Sequence, residues 1–205
     1  MTANSQPISW ILFDLSGVLV PFTFVRRQWY EYKSRFFEAK ELEGIFYDKD
    51  YAACMKGELS HEQAVGRYIH KKHIDLTVDE FNELIHNDQQ PMEGMVELLQ
   101  TLAPLYKIAV ATNEGKVTMQ YKIEASGAIP YLTKIVPSYL LRSLKPEKDF
   151  YVKLLSRIHA RPEECIFIDD TKRNIEAAEL LGIRSILFTN TKQLESDLVQ
   201  LQILH

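Results

Sequence analysis

Chemistry-bearing side chains stand at the ends of apolar runs in this chain. Asp14 closes the run at residues 9–14 (SWILFD), Thr112 closes that at 106–112 (YKIAVAT) with Asn113 next, and Asp169 closes that at 164–169 (ECIFID) with Asp170 next. Lys145 lies in the loop segment SLKPE, just before a helical pattern. A carboxylate, a hydroxyl, an ammonium and an acidic pair together suit a phosphoryl group and a divalent metal. Asp14 can attack phosphorus and so split a difficult hydrolysis into two steps. Thr112, Asn113 and Lys145 can hold and neutralise phosphoryl oxygens, because phosphoryl transfer depends chiefly on positioning and electrostatics. Asp169 and Asp170 supply the oxygen ligands that Mg2+ prefers.

These residues meet only if the runs are neighbouring strands. Each run is short and nearly continuous in apolar residues, as in strands buried on both faces, and residues 184–188 and, more weakly, 133–137 repeat the pattern. Helical patterns lie between them at 94–102, 116–126, 148–159 and 172–181, the second and fourth stopped by Gly127 and Gly182. Such alternation predicts a parallel sheet covered on both faces, whose ligands bind beyond the carboxyl ends of the strands.

Residues 21–90 break the rhythm. They carry aromatic-rich, charged patterns and no convincing buried strand, so they read as a helical insertion with helices over 26–37, 41–55 and 60–73. Ser60 is a natural N-cap, and Thr77 with Glu80 forms a capping box for another helix. The core is then residues 1–20 and 91–205. The aromatic cluster of Phe22, Phe24, Trp29, Tyr30, Tyr32, Phe36 and Phe37 reads as the core of the insertion, and Arg26 and Arg27 stand near its hinge. His61, His70, His73 and His86 lack zinc-ligand spacing and read as packing or surface residues.

The 205 residues, 46% hydrophobic, suffice for a substantial core. A net charge of -4 without long single-sign runs gives no basic footprint for nucleic acid or an anionic membrane. No apolar stretch reaches the roughly 18 to 20 residues that span a bilayer, and the N-terminus lacks a signal-peptide pattern. Cys54 and Cys165 are too few and too separated for a disulfide framework. The expectation is a cytoplasmic protein with reduced thiols and a small-molecule substrate; the sequence names no protein partner.

The four segments FDLSGVLV, VATN, LKPE and FIDDTKRN, in that order, resemble the four motifs of the haloacid dehalogenase superfamily. The resemblance covers nearly the whole chain. It implies a modified Rossmann α/β core with an inserted α-helical cap, and a magnesium-dependent phosphatase of small phosphomonoesters, sugar phosphates among them. Carried over, Asp14 is the nucleophile, Thr112 and Lys145 bind phosphoryl oxygens, and Asp170 ligates magnesium. Asp169 is a further ligand or supports one, and Asn174 is an outer hydrogen-bonder.

One position departs from the pattern. Phosphatases of this superfamily usually carry a second Asp two residues after the nucleophile, serving as general acid and then base; here it is Ser16. General acid–base catalysis is worth roughly a hundredfold to ten-thousandfold, and a serine hydroxyl is a poor proton donor near neutral pH. Ser16 retains the backbone carbonyl that the resemblance implies as a metal ligand. A dehalogenase-like hydrolase is the alternative, although such enzymes need no acidic pair. A phosphonate-cleaving enzyme would require a desolvated cap lysine, and nothing marks Lys33, Lys40, Lys49 or Lys56 as one. A weakened member that binds a phospholigand or a protein is the reading from another class.

Overall fold

The apolar runs become strands wherever both of their faces are covered. The computed structural model describes residues 7–204. Residues 1–6, on which part of the N-terminal reading falls, and residue 205 lie outside the described residues. In chain order the strands are β1 (Trp10–Phe13), β2 (Trp29–Tyr32), β3 (Arg35–Glu38), β4 (Lys107–Thr112), β5 (Lys134–Pro137), β6 (Cys165–Asp169) and β7 (Arg184–Leu187). The helices are α1 (Ala39–Glu43), α2 (Lys49–Met55), α3 (His61–Lys72), α4 (Val78–Asn87), α5 (Met95–Leu102), α6 (Lys116–Ala125), α7 (Ser138–Leu141), α8 (Lys148–Ile158), α9 (Lys172–Glu179) and α10 (Thr191–Gln200).

β1 is the middle of a five-stranded parallel sheet of order β5-β4-β1-β6-β7. Side chains alternate between its faces. Ile11, Phe13, Val110 and Ile168 join Leu98 and Leu99 of α5 and Leu194 and Leu198 of α10 in one core. Leu12, Ala111 and Phe167 join Phe150, Tyr151 and Leu154 of α8 in the other. Burying such side chains is worth about 1.5–3 kcal/mol each, which explains why β1 is apolar throughout, β6 up to Asp169, and β4 from Ile108 to Ala111, with only its exposed first residue Lys107 and its last residue Thr112 polar. A third apolar cluster has its buried members between Phe24 and Ile85, and Tyr121 of α6 packs against it.

The expected strands and helices of the core are present, with ends shifted by one or two residues. α10 has no counterpart among the elements expected from the sequence; Asn190 caps it by accepting the Gln193 N–H at 3.0 Å. The helices expected at 60–73 and after Thr77 are α3 and α4, each with a full capping box.

Two expectations for the insertion are corrected. Residues 26–37 are not a helix: β2 and β3 form an antiparallel hairpin there. Tyr30, Tyr32 and Phe37 turn inward while Trp29, Glu31 and Phe36 turn outward, a period of two that suits aromatic residues. Lys33 and Ser34 make the turn with φ of 48° and 61°, so a left-handed turn forms without the usual Asn-Gly signal. Residues 41–55 are not one helix either. α1 ends in a 3-10 turn, Gly44–Tyr47, and Asp48 caps α2 by accepting from the Asp50 N–H at 2.9 Å. Among the described residues no helix is long and apolar enough to cross a membrane.

Candidate active site

β4, β1 and β6 are adjacent and parallel, so Thr112, Asp14 and Asp169 emerge side by side at one edge of the sheet. The chain builds outward from β1 in both directions, which opens a crevice at that edge. Asp14 follows β1 directly, its N–H donating to the Ile168 carbonyl at 2.9 Å. The loop after it turns at Gly17, whose φ is +84°. A Cβ on Gly17 would run into the Asp170 carboxylate and the Phe22 ring, so this position admits a close approach that a side chain would block.

Lys145 is the hinge of the charge arrangement. Its ammonium lies 2.9 Å from Asp14 Oδ1 and 2.7 Å from Asp169 Oδ2, and all three side chains are buried. Asn113 fixes the lysine's backbone from both sides, donating to the Lys145 carbonyl at 2.9 Å and accepting its N–H at 2.8 Å. Asp169 Oδ1 also accepts the Thr171 N–H at the start of α9, at 2.9 Å. Asp170 is half-buried, its carboxylate accepting the Thr171 hydroxyl at 3.3 Å.

Burial pushes the Asp14 carboxyl up to about 7, with Lys145 opposing and Asp169 reinforcing the rise. Asp170 is raised by the same two influences, burial first and Asp169 second. Burial pulls the Lys145 ammonium down, but Asp14 and Asp169 outweigh it and its pKa is raised.

Carboxylate oxygens of Asp14, Asp169 and Asp170 all lie within 4.8 Å of one another. One ammonium against three carboxylates leaves the cluster short of positive charge. The buried Asn174 Oδ1, on the wall of the same cavity, has no donor among the described residues. Hard oxygen donors, excess negative charge and an unfilled acceptor fit a hydrated Mg2+.

These groups line a cavity of about 220 Å³. Asp14, Ser16, Thr112, Asn113, Lys145 and Asp170 are on its wall, and buried Asp169 stands behind Lys145. The opposite wall comes from the insertion: Phe22, Phe46, Tyr47, Tyr51 and Met55. Of the aromatic cluster named from the sequence, Phe22 alone lines this cavity, while Phe24, Tyr30, Tyr32 and Phe37 pack inside the insertion. Arg26 pairs with Asp88 at 2.8 Å, and neither it nor Arg27 lines the cavity.

Sequence reasoning missed Glu114 and Lys122. Ser16 donates its hydroxyl hydrogen to Glu114 Oε1 at 2.8 Å, and Lys122 donates to Ser16 Oγ at 2.8 Å and to Glu114 Oε1. Glu114, directly after Asn113 in VATNEGK, was visible as an acid at a strand end. Lys122 was not, since α6 has no clean apolar stripe to show that its face is buried.

A parallel α/β sheet with buried carboxylates, a lysine and a hydroxyl gathered at its switch point defines an enzyme of the doubly wound class. The chain belongs to the haloacid dehalogenase-like hydrolase family, whose profile matches residues 11–188. It is 28% identical over 94% of its length to a chloroplast flavin mononucleotide hydrolase 1 of Arabidopsis thaliana, covering 77% of that protein. It is 20% identical to a phosphorylated carbohydrates phosphatase of Thermotoga maritima, over 86% of this chain and 82% of that one. A HAD family enzyme of Bacteroides thetaiotaomicron, solved in complex with magnesium and inorganic phosphate, shares the fold with a TM-score of 0.69 at 18% identity. That match covers 89% of this chain and 95% of the other.

Proposed function

We propose that this hydrolase is a magnesium-dependent phosphatase of small phosphomonoesters. The observation that carries the reading is the Lys145 ammonium held between Asp14 and Asp169, with Asp170 close enough to share a cation with them. Asp14 attacks phosphorus, the ester P–O bond breaks, and its electron pair leaves with the alcohol oxygen, which takes up a proton. Water then attacks the aspartyl-phosphate, the bond from phosphorus to the Asp14 oxygen breaks, and inorganic phosphate and free Asp14 result. Thr112 and Lys145 hold the phosphoryl oxygens as charge redistributes. Asn113 holds the Lys145 loop at the phosphoryl end of the cavity.

The carboxylates of Asp14 and Asp170 and the backbone carbonyl of Ser16 would hold Mg2+, with Asp169 beside them. When bound, the ion neutralises charge on the phosphoryl oxygens and favours the ionised form of Asp14.

Residues 21–90 act as the cap, closing over the substrate and excluding water, and the aromatic wall sets specificity. The names of the two curated relatives make sugar phosphates and flavin mononucleotide the first esters to try. Two free, buried cysteines support a cytoplasmic location.

The test is phosphate release from a panel of small phosphate esters with Mg2+ or EDTA, comparing wild type with Asp14→Asn. Release that needs Mg2+ and disappears in the variant is expected. Folded, Mg2+-binding protein with no release above the variant would sink the phosphatase reading.

A further inference from the structure

The Glu114–Lys122 ion pair has no part in the mechanism above, yet it is buried, with side-chain exposures of 4% and 3%. Taking two charges out of water is costly, so such a pair is weak evidence for stability alone. Its surroundings fix both groups. Glu114 Oε2 accepts from the Thr118 hydroxyl at 2.8 Å, and Thr118 accepts from Tyr51 of the insertion at 2.9 Å. The Glu114 N–H donates to Ser138 Oγ at 3.1 Å.

Counting hydrogens decides which group can serve a leaving oxygen. Ser16 has one hydroxyl hydrogen, and it is committed to Glu114. Lys122 has three ammonium hydrogens: one goes to Glu114, one to Ser16, and the third has no acceptor among the described residues. In-line displacement puts the leaving oxygen across phosphorus from Asp14, on the side where the substrate runs toward the insertion. Lys122 stands at that boundary, 2.8 Å from Ser16 of the nucleophile loop and 5.1 Å from the centroid of the Phe46 ring in the aromatic wall.

Building on the phosphatase reading, we infer that Lys122 is a further catalytic residue that hydrogen-bonds the departing ester oxygen, with Glu114 and Ser16 as its positioning residues. The ester P–O electron pair moves onto that oxygen as Asp14 bonds to phosphorus. Lys122 stabilises the growing negative charge through its hydrogen bond; the proton that completes the alcohol derives from the hydrolytic water, whose remaining hydroxide ends on phosphorus when the aspartyl-phosphate is cleaved. A fixed donor in a water-poor site takes over, by electrostatics, part of what a second carboxylic acid would do by protonation.

The experiment compares kcat/KM for an alkyl phosphate, glycerol 3-phosphate, with that for 4-nitrophenyl phosphate, whose leaving oxygen needs little help. Lys122→Met alone would strand the Glu114 charge, so the double variant Lys122→Met/Glu114→Gln, checked for folding by thermal melt, accompanies it. The expected result is a loss of about a hundredfold with the alkyl ester. The loss with the aryl ester is expected to stay below about tenfold, with inhibition by inorganic phosphate little changed. Equal losses on both esters, or no loss on either, would overturn the assignment of Lys122 while leaving the phosphatase reading intact. A folded, Mg2+-binding wild type that releases no phosphate from these two esters or from any other ester of the panel would overturn both.

Discussion

Asn174 donates through its side-chain amide to both carboxylate oxygens of Asp169, at 2.9 and 3.1 Å. With Lys145 on Oδ2 and the Thr171 N–H on Oδ1, four contacts from the protein already surround that carboxylate. Asp170, one residue on, has far fewer. The two acids, a single DD pair in sequence, therefore divide their work: Asp169 orients Lys145 and the start of α9, and Asp170 is the freer oxygen donor for a cation. Asp170→Asn is expected to weaken Mg2+ binding more than Asp169→Asn does, whereas Asp169→Asn lowers kcat by about ten- to a hundredfold, the usual cost of losing a supporting partner. A Mg2+ titration of both variants, followed by rates at saturating Mg2+, checks the division; equal losses of affinity would refute it.

Gly17 links the loop after Asp14 to the same acid. At φ +84° and with Asp170 and Phe22 crowding the place of a Cβ, Gly17→Ala meets both backbone strain and a collision. Strain of this kind costs about 1–3 kcal/mol, visible as a lower urea midpoint. Displacement of Asp170 is expected to raise the Mg2+ concentration for half-maximal activity as well. A variant with lower stability and unchanged Mg2+ dependence would mean that Asp170 moves without consequence.

The core was legible because its chemistry and its hydrophobicity are written at the same places. Asp14, Thr112 and Asp169 each follow an apolar run, and parallel pairing brings such ends together. The insertion was harder to read. Tyr30, Tyr32 and Phe37 obey a two-residue period, but the surrounding aromatics blur it, and Lys33-Ser34 carries no turn signature. Lys122 was invisible for another reason: a lysine on a helix reads as solvated until the partner that buries it, eight positions earlier at Glu114, is brought across by the fold.

Glu80 gives the insertion an acid-sensitive element. Its carboxylate is held down to about 2 by the Thr77 backbone N–H first and by Arg35 second. In the unfolded chain the group returns to its ordinary value of 4.5, so the unfolded state binds the proton more readily. The stabilisation is fully present above the unfolded value and is lost as pH falls through the folded one. Thermal melts of wild type and Glu80→Gln are expected to differ at pH 7 and to converge as pH falls from about 4.5 to about 2. A difference independent of pH would point to packing rather than charge.

Asp88 closes the base of the insertion. The chain enters near Phe24 and leaves near Asp88, whose Oδ2 accepts the Phe24 N–H at 2.6 Å. Its Oδ1 accepts Arg26 at 2.8 Å and the Tyr30 hydroxyl at 3.1 Å. Gln89 adds a bond to Thr23 Oγ1 at 3.0 Å, so entry and exit are tied twice. The Asp88 side chain is 2% exposed, and its removal leaves buried donors without an acceptor. Asp88→Ala is expected to cost about 3 kcal/mol, read as a shift in the urea transition. Because these bonds set how the aromatic wall sits over Asp14, KM for a bulky ester should rise in the surviving folded enzyme, while Mg2+ affinity, fixed by the core, should hold. A matching loss of Mg2+ affinity would show that the base of the insertion supports the metal cluster as well as the cap.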